Sequence, residues 1–443
     1  MWDIAHERIT AMSYRTRHLL LVTALYLLVF PFLSSCGSNT TPTSGQQPGL
    51  SNTQVSQPHE AGPYNCKGSI HFASNTSASP EPAPRSIYFG AVGGNLYAVN
   101  AQTGNLRWCI RLSNPGAQIN PCTTPRCPPP IPLILGTPAV VDGVVYVCAS
   151  GGGETGYTYA FNASDGSLRW RTQSDCWSVS IPFGDYAIPL VSNGVVYSGL
   201  YALRAQDGQA LWKETHINLA QDGELILLAV ANGVVYACTE AAVYALNAAD
   251  GSIRWRYPPH TYMTVGGPLV VSVSNQTLIV GTQGSVDQPQ TSAVYAVNTE
   301  NGTLRWYHLM GDYVGATFLN NVAYVSSGDE YLYAFNASNG NMHWRTKLGY
   351  TAWSAPVIAK GILYTNADGA YAVDSTNGRI LWHKSLGADQ SVSFNPSVVV
   401  DGTDYLASTD GHGVSTVYAL NASNGAEYWY SANIPQISPL AVA

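Results

Sequence analysis

Residues 418–429 read Tyr-Ala-Leu-Asn-Ala-Ser-Asn-Gly-Ala-Glu-Tyr-Trp, and the same phrase recurs seven times upstream at unchanged internal spacing. Its closing tryptophans are Trp108, Trp170, Trp212, Trp255, Trp306, Trp344, Trp382 and Trp429. Eleven positions before each stands a tyrosine: Tyr97, Tyr159, Tyr201, Tyr244, Tyr295, Tyr333, Tyr371 and Tyr418. An alanine follows every one of them, from Ala98 to Ala419. Four positions before each tryptophan is a glycine: Gly104, Gly166, Gly208, Gly251, Gly302, Gly340, Gly378 and Gly425. A unit of about forty residues repeated this faithfully marks an architecture of stacked, equivalent modules.

One copy shows what a module is. Pro356-Val-Ile-Ala is a short apolar strand and Lys360-Gly361 a turn; Ile362-Leu-Tyr-Thr is a second strand and Asp368-Gly369 a second turn. Ala370 to Asp374 is a third strand, Thr376-Asn377-Gly378 a third turn, and Arg379 to His383 a fourth strand. Short alternating runs bounded by turn residues predict a four-stranded antiparallel meander. After the leader no segment carries a 3.6-residue apolar period, so the fold is all-β. The constant glycine supplies positive φ at the third turn. Asn100, Asn162, Asn247, Asn298, Asn336 and Asn421 open that turn by bonding their own backbone, with Arg204 and Asp374 at the two divergent positions. Alanine leaves room for a large neighbour. An aromatic present once in every module is packing between modules rather than a ligand site.

Eight such sheets predict an eight-bladed β-propeller over residues 86–443. The first module starts at Ser86, on a second strand, and Ser438–Ala443 reads as a first strand with nothing after it. The C-terminal strand is therefore expected to complete the blade begun by the N-terminal one.

The Ala98–Gly104–Trp108 pattern, with its seven later counterparts, resembles the tryptophan-docking motif of PQQ-type β-propellers over residues 86–443. That resemblance implies docking tryptophans packed between adjacent blades. Its enzymatic branch, the quinoprotein alcohol dehydrogenases, uses PQQ, calcium, a catalytic aspartate and usually a disulfide between adjacent cysteines. Its other branch includes the propeller lipoprotein of the outer-membrane barrel-assembly machinery and surface propellers without assigned activity. Here no two of the eight cysteines are adjacent, there is no Cys-x-x-Cys-His haem site, and no acidic cluster maps onto the calcium ligands. The resemblance thus favours the non-enzymatic branch, with no cofactor, over a PQQ- and calcium-dependent dehydrogenase.

The N-terminus adds a location. Arg8, Arg15 and Arg17 precede an apolar run from Leu19 to Leu33, long enough for a signal h-region and short for a membrane span. Leu33-Ser34-Ser35-Cys36 resembles a lipobox, so residues 1–36 are read as a lipoprotein signal with Cys36 lipidated, and Met12 as an alternative start. Residues 37–64, rich in Ser, Thr, Gln, Pro and Gly, are expected to form a tether with a span of roughly 30 Å, and residues 65–85 a lead-in. An exported chain can oxidise its cysteines, and Cys122 and Cys127 are the nearest candidate disulfide. The net charge of −7 leaves no basic footprint for nucleic acid.

Function is sought where the repeat is irregular. First and third turns share one face of a meander ring; second turns and crossovers share the other. The length variation falls on the latter, in crossovers 110–136, 172–187 and 213–226 and in second turns 149–156, 281–292 and 408–415. Trp177 and Trp353 lie there outside the repeat, with Phe183, Asp185, Tyr186, His260, Tyr262, Tyr313 and Tyr350. Aromatics with a few charges on variable loops suit recognition of another macromolecule. His308 with Asp312, and Asp410 with His412, raise an acid–base or metal reading, but neither has a third convergent ligand. Asp389 lies on the same face. The expectation is a monomeric, membrane-anchored scaffold on the extracytoplasmic side that binds an envelope protein. The alternatives are a ligand-sensing ectodomain and the quinoprotein enzyme.

Overall fold

The computed structural model describes residues 71–74, 85–112, 134–150, 156–176, 188–222, 225–239, 241–258, 272–274, 276–282, 292–311, 314–350, 352, 354–386, 395–410 and 413–443. These form eight antiparallel sheets, each a meander in chain order apart from the closure of blade 1 and the additions to blades 2 and 8 described below. The seventh blade shows the correspondence with the sequence: Val357–Ala359, Ile362–Asn366, Gly369–Asp374 and Ile380–Ser385, paired in that order. Among the described residues, one four-residue helical turn, Leu219–Asp222, lies in the crossover between blades 3 and 4.

Each blade is apolar on both faces because it packs between two others. The second and third strands are accordingly buried along most of their length, as in Ser86–Ala91 and Val234–Cys238. The fourth strands alternate between exposed and covered residues, as in Leu304–Leu309. The apolar clusters bridge neighbouring sheets: Tyr236 and Cys238 of blade 4 pack with Leu278, Val280 and Tyr295 of blade 5.

Closure follows the expected route. Ala441–Val442 pairs with Ser86–Ala91 in the register Ile87↔Val442 and Tyr88↔Ala441, giving blade 1 its inner strand. The Ser86 and Ala443 backbones exchange hydrogen bonds at 2.8 and 3.1 Å. The Gly90 N–H donates to Ser438 Oγ at 2.9 Å, and the Ser438 N–H to Gly90 O at 2.8 Å.

Three details differ from the sequence reading. His71–Ser74, within the lead-in, is a fifth strand on the outer edge of blade 8, paired with residues 429–432. Blade 2 has two short pieces, Ile134–Leu135 and Ala139–Val141, both on its strand Val144–Ser150. The second turn of blade 8 is shorter than 408–415, because its strands run to Thr409 and restart at Val414.

Candidate functional site

The repeated residues form one clasp, built eight times. Each docking tryptophan sits on an outer strand directly opposite the constant alanine, as in Ala98↔Trp108 and Ala419↔Trp429. All eight of those alanines are fully buried, so the expected room for a large neighbour is what they provide. A bulge falls just beyond this pair in every blade, with one extra residue on the tryptophan's strand.

The indole then reaches the third turn of the next blade. Trp108 Nε1 donates to Ala163 O at 3.0 Å, Trp170 to Ala205 O at 2.9 Å, Trp212 to Ala248 O at 3.0 Å and Trp255 to Thr299 O at 2.9 Å. Trp306 donates to Ala337 O at 2.7 Å, Trp344 to Ser375 O at 3.1 Å and Trp382 to Ala422 O at 2.9 Å. Trp429 closes the ring on Ala101 O at 2.9 Å. The ring lies flat on the constant glycine of that turn: a Cβ on Gly104 would stand 2.8 Å from Trp429, and one on Gly166 2.9 Å from Trp108. Glycine is therefore required twice, for its positive φ and for the ring above it.

A second aromatic completes the clasp. Tyr88, Tyr146, Tyr197, Tyr364 and Tyr405, on second strands, donate their hydroxyls to the carbonyls that their blades' tryptophans use, at 3.1 to 3.5 Å. Two lone pairs let one carbonyl take both donors. Blade 5 has Ile279 in this place; there His308 Nε2 bonds Gly340 O at 2.7 Å and its ring stacks on Phe335. His308 is thus engaged in blade docking, and Asp312 lies outside the described residues.

The sequence-chosen binding face is only partly described. Tyr350 is on it and half exposed. Its crossover is fixed at the base: the Gly349 N–H donates to Tyr371 Oη at 3.0 Å, and that hydroxyl donates to Asp368 Oδ1 at 2.5 Å. Trp177, Phe183, Asp185, Tyr186, His260, Tyr262, Tyr313 and Trp353 fall outside the described residues, as do Cys36, Cys122, Cys127, Asp389 and His412. Asp410 caps its own turn, accepting the Val414 N–H at 2.9 Å. Among the described residues, no three His, Cys, Asp or Glu side chains converge as metal ligands.

Two features on that side of the ring were not anticipated. Cys148 and Cys176 form a disulfide tying the second strand of blade 2 to the chain leaving its outer strand. Cys109 is also disulfide-bonded, while Cys238 is a buried thiol whose pKa burial pushes up. Along the rim, third-strand tyrosines donate to acids near basic side chains of the outer strand. Tyr244 reaches Asp222 beside Arg256, Tyr333 reaches Asp329, and Tyr371 reaches Asp368 beside His383. Burial first, and the acidic acceptor second, raise the pKa of all three hydroxyls, so they stay protonated donors at neutral pH. An open groove of about 320 Å³ lies between blades 7 and 8, lined by Lys384, Leu386, Thr416, Tyr418, Glu427 and Tyr430 among others.

Comparisons with known proteins agree with this geometry. The family model described as outer membrane protein assembly factor BamB, built on PQQ-type repeats, matches residues 72–176, 132–292, 198–319 and 290–434. The chain is 27% identical to an outer membrane protein assembly factor BamB of Yersinia pestis over 164 residues, 34% of this chain and 35% of that protein. It is 28% identical to the quinohemoprotein alcohol dehydrogenase ADH IIB of Pseudomonas putida over 155 residues, 33% of this chain and 19% of that protein. The matches thus span about a third or less of the length of these relatives. A crystal structure of the computationally designed protein Ika8 superposes with a TM-score of 0.54 at 13% identity, covering 82% of this chain and 95% of that one; it is a match of fold.

Proposed function

The chain belongs to the PQQ-repeat family described as outer membrane protein assembly factor BamB, and from that premise we propose that it is a cell-envelope lipoprotein whose propeller is a non-enzymatic scaffold for another protein. The observation carrying this reading is the clasp. The eight repeated indoles are bound to neighbouring blades, so the aromatics free to meet a partner are those outside the repeat, on crossovers and second turns. A rigid ring holding variable loops on one face is a common binding platform. Its partner is an envelope protein, and the propeller acts as a monomer.

The enzymatic alternative rests on the quinohemoprotein relative. This chain lacks one usual element of that cofactor site, the disulfide between adjacent cysteines. The disulfide of blade 2 joins cysteines 28 positions apart, and no adjacent pair exists in the sequence. A ligand-sensing ectodomain is the remaining reading, and a small-molecule rather than protein ligand would distinguish it.

Recovery of envelope proteins on the immobilised chain tests the scaffold reading. The Trp177→Ala/Trp353→Ala double variant is expected to lose the partner while melting like the wild type. Equal recovery by both would remove these loops from the proposal. Dye-linked alcohol oxidation after adding PQQ and calcium would replace the proposal with the enzymatic one. Anchoring is tested separately: Cys36→Ala is expected to abolish labelling by a radioactive fatty acid and release the protein from membranes. Unchanged labelling would refute the lipobox.

A further inference from the structure

One buried side chain breaks the internal symmetry of the ring. With second strands aligned on the clasp tyrosine (Ile279 in blade 5), the preceding residue is Ile87, Val145, Val196, Val235, Leu278, Ala323 or Leu363. All are fully buried aliphatics, and where the clusters resolve them they face the preceding blade, as Leu363 faces Tyr324. In blade 8 the residue is Asp404, also 0% exposed. Its strand neighbours are Val399 and Leu420, and the preceding blade offers Tyr364, whose hydroxyl is committed to Ala422 O at 3.1 Å.

Neither carboxylate oxygen has a hydrogen-bond partner. The Ser397 hydroxyl lies close enough to favour the charged form slightly, but burial dominates and pushes the carboxyl up to about 7. The groups facing it are Ser397 and Val399 from the inner strand and its approach, Leu420 from the third strand, and Tyr364 from blade 7. Of these only Tyr364 titrates, and its own pKa is raised, first by burial and then by Asp404. No cation among the described residues acts on Asp404. An ionised carboxylate in such a slot is strongly disfavoured, whereas the neutral acid is a tolerable replacement for valine.

We infer that Asp404 is a proton-controlled latch on the seam between blades 7 and 8, closed when neutral and loosened when ionised. This goes beyond the scaffold reading and does not depend on it. The sign follows from linkage. The unfolded chain ionises Asp404 near the ordinary carboxylate value of 3.8, the folded chain only near 7. The stability that Asp404's proton contributes is therefore fully present below about pH 4, is lost between there and about pH 7, and is absent above. The other seven seams carry an aliphatic side chain at this position.

Urea unfolding at pH 5 to 8.5 of wild type, Asp404→Val and Asp404→Asn reads the effect. The wild-type folding constant is expected to fall about a hundredfold more between pH 5 and pH 8 than that of either variant. Asp404→Asn keeps the shape without the proton, so a common flattening in both variants isolates the charge. Hydrogen exchange of the amides of Thr403–Thr409 should accelerate at pH 8 relative to those of Val234–Cys238, locating the loosening. A wild-type pH slope matching both variants, or a carboxyl carbon resonance of Asp404 titrating below pH 5, overturns the proposal.

Discussion

Removing residues 437–443 is expected to destroy cooperative folding at ordinary temperature. The deleted segment supplies the inner strand of blade 1. It carries Ile437 and Leu440, which are 6% and 5% exposed in a cluster with Phe89, Tyr405 and Trp429. Burial of two such side chains contributes about 3–6 kcal/mol. The Ser86–Ala443 and Gly90–Ser438 bonds and the Ile87–Val442 pairing are lost with it. Each adds about 1 kcal/mol, and their orphaned partners on Ser86–Ala91 would stand on an open edge. The combined loss rivals the whole stability of an ordinary domain, about 5–15 kcal/mol. Calorimetry should show no single cooperative transition, or one displaced by well over 10 °C on the usual scale of about 2–4 °C per kcal/mol for domains of 150–250 residues. A truncated chain melting like the full-length protein would mean that this strand does not close the ring.

The second large effect concerns the clasp at the same seam. Trp429 is 2% exposed, bonds Ala101 O, and lies on Gly104. Trp429→Ala should cost about 3–5 kcal/mol, as for other buried Trp→Ala changes. Gly104→Ala attacks from the other side. Its φ of +71 is matched by Gly143 at +72, but a Cβ on Gly143 meets nothing within 4 Å. Gly143→Ala therefore measures the backbone penalty alone, about 1–2 kcal/mol, and Gly104→Ala adds the displacement of the indole. Denaturant midpoints should order as wild type, Gly143→Ala, Gly104→Ala. In the Gly104→Ala/Trp429→Ala double variant the glycine change should cost no more than Gly143→Ala, because the two residues share one contact. Strict additivity would show that the ring and the glycine act independently.

These contacts also explain what was legible in the sequence. The third turn and the tryptophan are locked to each other across a bulged hairpin of constant length, so Tyr, Ala, Gly and Trp kept their spacing and the blade count could be read directly. The second half of the clasp was not legible for the opposite reason. Tyr88 and Tyr405 lie across second turns of different length, so their distance to Trp108 and Trp429 is not constant. The second role of the glycines was hidden because the indole that covers each belongs to the preceding blade. Asp404 stands near Asp401 and Gly402, where an acid flanking a turn is ordinary, and alignment of the strands on Tyr405 is what puts it among aliphatics. The outer strand His71–Ser74 had no repeat to announce it. The loop face carries the proposal of function for the same reason that its reading stays coarse: its residues follow no period.

The clasp has a consequence for how such a ring is assembled. Every blade presents a plug, the indole on its outer strand, and a socket, the glycine turn with its carbonyl, and this indole–glycine contact recurs at all eight seams. Nothing in the plug of Trp108 distinguishes the socket at Gly166 from the socket at Gly425. Neighbour order is thus left to the chain's connectivity and to the residues that differ between seams, such as His308 and Asp404, and a duplicated or excised module would keep the indole–glycine contact with both of its new neighbours.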